Sequence, residues 1–344
     1  MEKVSVPSIT GGQSLPAVGS KIAVPVSVKP GHGYDLVMKA DPQTESRDFP
    51  KAKSLDYVGS VQISRSWKQL NPKQGQYDWT SIETAISARG KKNLVIVITT
   101  SGPEMVPDWF WSLLGPTEFL IDTATGIKYP IFWNAKYEEH VDNFIKAFGA
   151  RFNGNRGIEY VRTGGWQTGS NEPSLYGSLT QKFQAMLSAN GLLFPVGSRK
   201  PTLNGTDPYT QSTLRRMETW KNAMPGTRLA ATFHFPGEDA TSLGFDQAMV
   251  NFACANKWVL GNTGLNYFDK SSARIKLLSY RNSGAQIGWF GLTHTDPAQW
   301  DTMLTEAIGD ATHLPVIPLS YLTVNADDSP DHDIQLRAFA EKLK

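Results

Sequence analysis

The chain of 344 residues has a single cysteine, Cys254, which excludes an internal disulfide framework and any zinc site built from thiolates. Cys254 ends the apolar stretch Met249-Val250-Asn251-Phe252-Ala253-Cys254 and reads as a structural thiol rather than a nucleophile. The six histidines are dispersed, without H-E-x-x-H or comparable ligand spacing, so neither a metal nor another cofactor is expected. The G-x-S-x-G elbow, the Walker loop and the dinucleotide fingerprint are all missing, which sets aside serine-hydrolase and nucleotide chemistry. Charge is sparse: 19% of residues are charged, the net charge is +2, and Lys and Arg are scattered. Neither nucleic acid nor an acidic membrane surface is therefore an expected partner. No apolar run reaches membrane-spanning length, and the first residues lack the basic-then-apolar pattern of a leader. That leaves a cytoplasmic chain or one whose leader has been removed. Ten tryptophans on a weakly charged chain favour an extracytoplasmic or secreted sugar-handling protein.

What remains is ample apolar material, 40% of the chain, arranged in alternation. Residues 1–32 are rich in Pro, Gly, Ser and Val without helical period and read as an extended N-terminal arm. From residue 33 to 344, short apolar runs alternate with stretches of helical spacing, the pattern of βα units around a parallel sheet. Strands are expected at Tyr34–Lys39, Ser60–Ser64, Leu94–Thr99, Tyr160–Gly164, Leu229–Phe233, Val259–Leu265, Gln286–Leu292 and Val316–Thr323. Helices are expected at Ser81–Ala88, Tyr137–Phe152, Thr210–Ala223, Leu243–Ala255, Ser272–Tyr280, Ala298–Ile308 and Ile334–Leu343. Eight such strands close a (β/α)8 TIM barrel of class α/β. The alternative, a doubly wound open sheet, calls for a glycine-rich phosphate turn that is not there. Long inserts at about 101–136 and 173–209 follow the third and fourth strands, on the face where such barrels carry their chemistry.

The segment Tyr160–Pro173 carries the most chemistry. An apolar run ends in Gly164-Gly165 and leads through Trp166 to Asn171-Glu172-Pro173. Cleaving a glycosidic bond needs a carboxylic acid that protonates the departing oxygen and a neighbour that holds the sugar 2-hydroxyl. Glu172 and Asn171 supply the two, and Pro173 fixes the backbone beyond them.

The second strand runs into Trp67-Lys68-Gln69-Leu70-Asn71-Pro72-Lys73-Gln74-Gly75-Gln76-Tyr77-Asp78-Trp79. This resembles the W-x-x-L-x-P-x-x-G-x-Y-D-(F/W) segment of the clan A glycoside hydrolases, in particular the β-galactosidase-like barrels. Pro107-Asp108-Trp109 resembles the P-x-W that follows their third strand, and Pro130–Asn134 precedes the helix that leads to Asn171-Glu172. The resemblance spans roughly residues 57–175. It implies a barrel, a sugar substrate, Glu172 as general acid/base, and Arg65 as the second-strand arginine that supports a catalytic carboxylate. An arginine favours the ionised form of a nearby carboxylate, so Arg65 is expected nearer the second acid than Glu172.

Those enzymes carry a glutamate nucleophile at the end of the seventh strand, whereas Gln286–Asp296 contains no Glu. The substitute is Glu238, in Thr232–Asp239 after the fifth strand, with His234 beside it. Such a pair works by inversion if its carboxyls stand about 6.5–9.5 Å apart and by retention at about 5–5.5 Å. Asp296, Asp327 and Asp328 are weaker substitutes. Trp67, Trp109, Trp166, Tyr267 and Trp289, with His234 and His294, fall at or beyond strand ends and complete the expected substrate-binding set. Aromatic faces stack on sugar C–H faces while polar groups take the hydroxyls. The expectation is a glycoside hydrolase acting on an oligo- or polysaccharide. A catalytically inactive sugar-binding barrel and an unrelated lyase or isomerase barrel are the alternatives. Oligomeric state is left open.

Overall fold

The computed structural model describes residues 35–40, 43–100, 102, 104–121, 126, 128–163, 184–196, 201–232, 243–262, 286–289, 321–325 and 333–343. Residues 1–32, and the helices expected at Ser272–Tyr280 and Ala298–Ile308, lie outside them.

Eight parallel strands close into a barrel: β1 (Asp35–Lys39), β2 (Ser60–Ser66), β3 (Asn93–Thr99), β6 (Ile158–Thr163), β7 (Arg228–Thr232), β8 (Val259–Asn262), β9 (Gln286–Trp289) and β10 (Tyr321–Asn325). Closure comes from β1, which pairs with β10 from Asp35↔Tyr321 to Lys39↔Asn325 and with β2 from Val37↔Ser60 to Lys39↔Gln62. All eight expected strands are found, and the open-sheet alternative is excluded. The third strand, Asn-Leu-Val-Ile-Val-Ile-Thr, shows why: a strand covered on both faces reads as an unbroken apolar run.

Helices cover the barrel: α1 (Glu45–Ser54), α3 (Thr80–Ala88), α5 (Ala135–Phe152), α6 (Pro208–Ala223), α7 (Leu243–Ala255) and α8 (Asp333–Leu343), with single turns α2 (Trp67–Leu70) and α4 (Asp108–Trp111) at the rim. In α5 the side chain of Asn134 accepts from the backbone N–H of Lys136 and Tyr137. Tyr137, Val141, Phe144, Ile145, Phe148 and Phe152 form its buried stripe at helical spacing. In α6 Asp207 accepts from Thr210 N at 2.8 Å and Pro208 takes the first turn, where its missing N–H costs nothing. The insert after β3 contains α4 and an antiparallel hairpin, β4 (Phe119–Ile121) with β5 (Lys128–Pro130).

Two cores result. The large one lies between sheet and helices and takes Val61 and Ile63 of β2 and Leu94, Ile96 and Ile98 of β3. The small one is Val37, Val95, Tyr160, Ala230 and Val259, one residue from each of five strands, and fills the barrel. Because register partners in a parallel sheet face the same side, this set fixes the inward alternation of every strand. Cys254 sits on α7, partly buried against the large core.

Candidate functional site

The strands lead toward the C-terminal rim, where βα loops gather. Following the inward alternation to that rim places Lys39 on β1, Ser64 on β2, Thr99 on β3, Arg162 on β6, Thr232 on β7 and Gly261 on β8. Arg162 is buried, in register with Val97 and Ala230. No Asp or Glu occupies an inward position in the C-terminal half of a described strand, so any catalytic carboxylate must come from the loops beyond.

Arg65 stands on the other alternation, with Val61 and Ile63, and faces the helices rather than the barrel mouth. Its Nη1 and Nη2 each donate to one oxygen of Glu45 at 2.6 Å, and its Nε donates to Ser81 Oγ at 3.0 Å. Nη1 also reaches the carbonyl of Ser64 at 2.8 Å. Glu45 opens α1 and Ser81 lies in the first turn of α3, so the guanidinium fastens two helix starts to the end of β2. This corrects the substrate-binding role expected of Arg65: its donors face helix-side partners.

Trp67 is likewise corrected. It is 0% exposed, and a ring with no accessible face cannot stack on a sugar. Its edge meets Trp109 at 5.8 Å and Tyr137 at 6.0 Å, and its Nε1 donates to Asn71 Oδ1 at 3.1 Å. Asn71 is the hub of the whole Trp67–Trp79 segment. Its Nδ2 donates to the carbonyls of Lys73 and Gln76 at 2.7 and 2.8 Å, and its own carbonyl accepts from Trp109 Nε1 at 2.8 Å. Ser66 and Gln69 cap the single turn α2 reciprocally. Gly75 takes φ +70°, which favours glycine, and Asp78 Oδ1 accepts from Thr80 N at 3.0 Å to start α3. Tyr77 and Trp79 stack at 5.2 Å, and Trp79 meets Phe148 and Phe152 of α5 edge-on. The segment is thus a folded brace under the rim. Trp109 belongs to it as a half-buried ring committed to Asn71, Trp67 and His140.

The brace continues to Tyr137, whose hydroxyl donates to the carbonyl of Thr100, just past β3, at 3.0 Å. Burial pushes the Tyr137 and Tyr209 phenols up, so both stay neutral and Tyr137 keeps the proton it donates. Arg216, also buried, lies over the Tyr137 ring at 5.0 Å and donates to the carbonyl of Phe132 at 3.1 Å.

The remaining expected site residues follow strand ends. Trp166, Asn171 and Glu172 come after Thr163, the end of β6. His234 and Glu238 come after Thr232 of β7, Tyr267 after Asn262 of β8, and His294 after Trp289 of β9. All seven lie outside the described residues. Trp289 itself is described as the last residue of β9, in register with Asn262 and Leu322. Glu45, Asn71 and the inward pair Lys39 and Arg162 were not anticipated. The sequence marks an inward parity on β2, where Ser60, Gln62 and Ser64 alternate with Val61 and Ile63, but only the register carries that parity to Lys39 on β1 and Arg162 on β6. Among the described residues there is no cluster of His, Cys, Asp or Glu able to hold a metal, and no helix long and apolar enough to cross a membrane.

Comparison with known proteins agrees with this geometry. Residues 41–190 match the family model of glycoside hydrolase family 42, β-galactosidase, over somewhat under half of the chain. Among solved structures, the β-galactosidase of the psychrophilic Marinomonas ef1 superposes with a TM-score of 0.56 at 11% identity, covering 89% of this chain and 59% of that one. The β-galactosidase of Bacillus circulans sp. alkalophilus gives 0.53 at 9% identity, covering 85% of this chain and 50% of that one. The chain therefore spans between half and three-fifths of those enzymes, and at such identity the likeness establishes the fold. No curated protein matches. The resemblance to β-galactosidase-like (β/α)8 barrels of clan A is borne out.

Proposed function

We propose that the protein is a glycoside hydrolase acting on an oligo- or polysaccharide, with Glu172 as general acid. The observation that carries this reading is the match over residues 41–190, which includes Asn171-Glu172, together with a closed barrel whose fourth strand ends at Thr163, eight positions before Asn171 in the sequence. A raised pKa is what an acid catalyst at neutral pH requires. The barrel mouth offers inward Lys39 and Arg162 as cations, so the partner carboxylate that stays ionised is the one nearer to them. Glu238 is the proposed partner, as base in an inverting pair or nucleophile in a retaining one. Asn171 would hold the 2-hydroxyl, with Trp166, His234, Tyr267 and His294 completing the sugar site. Two of the solved neighbours are β-galactosidases, so β-galactosides lead the substrate panel.

The test is release of reducing ends from β-galactosides, galactan, xylan, mannan and mixed-linkage glucan. Glu172→Gln should reduce kcat by a factor of about 10² or more, the usual weight of general acid catalysis, and leave sugar binding in place. Turnover unchanged by that substitution would end the assignment. A second reading, a sugar-binding barrel without hydrolysis, is favoured by one fact: Gln286–Asp296 carries no Glu where clan A barrels hold their nucleophile. It predicts that wild type binds glycans and cleaves none of them.

A further inference from the structure

Outside the barrel, an open groove runs from the first turn of α5 along the first three turns of α6 to the third turn of α7. It is open to solvent over most of its extent, spans about 620 Å³, and is lined by Trp133, Glu138, Gln211, Arg215, Glu218 and Phe252 among others. We infer that this groove is a second carbohydrate-binding site, one that holds a neutral di- or trisaccharide segment of a longer glycan away from the proposed catalytic mouth.

The lining carries the argument. Trp133 and Phe252 are half-buried rings held in fixed orientations. Trp133 Nε1 donates to the carbonyl of Asn190 at 2.7 Å, and Phe252 meets Trp258 edge-on at 5.8 Å and carries the Lys221 ammonium 5.9 Å from its ring centre, which leaves Trp133 as the main stacking ring. Between them lies a lattice of ionic groups already locked to one another. Arg215 binds Glu138 through Nε at 3.2 Å and Nη2 at 3.1 Å, and Asp142 through Nη1 at 2.7 Å. Lys221 binds both oxygens of Glu218 at 3.1 Å. Gln211, exposed at the rim, is anchored through Nε2 to the carbonyl of Gly205 at 2.6 Å.

Rings for C–H faces, flanked by fixed donors and acceptors, are what a pyranose needs. Three carboxylates against two cations leave a single net negative charge, which disfavours a nucleic acid or an acidic peptide and suits an uncharged sugar. Ionic groups held by neighbours lose little freedom on binding, so hydroxyls meet a surface that is already ordered. The volume falls within the roughly 300–1,000 Å³ that houses a ligand of a few hundred daltons. The choice of a sugar as ligand rests on the carbohydrate reading above, whereas the site is independent of Glu172.

The experiment measures binding and turnover together. Full-length Glu172→Gln, unable to consume the ligand, is titrated with soluble galactan and xylan by affinity electrophoresis and calorimetry. Phe252→Ala and Gln211→Ala are each added to it, and each is also made in the wild-type background. The expected result is polymer binding weakened roughly tenfold by Phe252→Ala, the scale of one lost stacking contact. Hydrolysis of a small chromogenic β-galactoside should be unchanged. Gln211→Ala lies on an exposed side chain and serves if Phe252→Ala lowers the melting temperature. Polymer binding unaffected by both substitutions overturns the groove and leaves the catalytic proposal standing. Polymer binding lost in the groove variants of a wild type that cleaves nothing leaves the groove standing and removes the enzyme. A chain that neither binds nor cleaves any polymer refutes both.

Discussion

Replacing Arg65 by Met separates two roles that its position at the end of β2 allows. If the guanidinium served a sugar in the barrel mouth, its loss would raise KM and spare stability. The structure instead commits it to Glu45 and Ser81, with an Arg65 side chain 9% exposed and a Glu45 side chain 23% exposed. Breaking a buried, hydrogen-bonded ion pair from one side costs about 3–5 kcal/mol. Partial exposure of Glu45 lets water reach the stranded carboxylate, so about 2–4 kcal/mol is the expected loss for Arg65→Met. At about 2 °C or a little less per kcal/mol for a domain of this size, the melting temperature should fall by about 3–7 °C. Urea unfolding of Arg65→Met, Glu45→Gln and the double variant gives the coupling directly, and it should be on the order of 1.5–3 kcal/mol. A coupling below about 0.5 kcal/mol, or a stable Arg65→Met whose only defect is substrate affinity, would refute the helix-clamp role.

Three further outcomes follow from the packing. Asn71→Ala removes the three side-chain bonds to Trp67, Lys73 and Gln76 and should cost about 2–4 kcal/mol in denaturant unfolding. An effect below 1 kcal/mol would show that the brace does not depend on it. Gly149→Ala would place a methyl group 2.3 Å from the carbonyl oxygen of Ala223. It should therefore lower the melting temperature even though alanine is the better helix former, and a stabilised variant would mean that α5 and α6 separate freely. Glu118 is held below its ordinary value of 4.5, first by the hydrogen bond from Lys136 and then by the N–H of Gly115. A depressed folded value means a contribution present above 4.5 and lost as pH falls through the lower one. The melting-temperature gap between wild type and Glu118→Gln should accordingly be open at pH 7 and narrow progressively as the pH falls below 4.5, whereas a gap independent of pH would contradict it.

The barrel was legible because its strands are buried on two faces, so that runs such as Leu94–Ile98 stand out without alternation. Amphipathic α5 was equally plain. Helix α1 was not: Pro50 reads as a break, and Arg47, Asp48, Lys51 and Lys53 obscure the buried pair Phe49 and Ala52. The last strand, expected at Val316–Thr323, is described at Tyr321–Asn325, and the start of the expected run lies outside the described residues. Its pairing with β1 runs on through Val324 and Asn325, past the expected end. Placing Trp67 and Arg65 at a strand end was correct, but their direction depends on a parity of one residue. On β2 the polar parity, Ser60, Gln62 and Ser64, lines the barrel while the apolar parity faces the helices, and Arg65 shares the latter with Val61 and Ile63. The family-like Trp67–Trp79 segment was informative about kinship while its residues perform scaffolding.

The seam between β1 and β10 joins segments almost three hundred positions apart along the chain. Until the last strand arrives, the sheet is an open arc with two unsatisfied edges, one of them ready to accept any foreign strand. Forming that junction is among the longest-range events this topology requires, which slows assembly and prolongs exposure of the arc. Variants that weaken Tyr321–Asn325 should thus reveal themselves in yield and self-association before they affect any property of the finished protein.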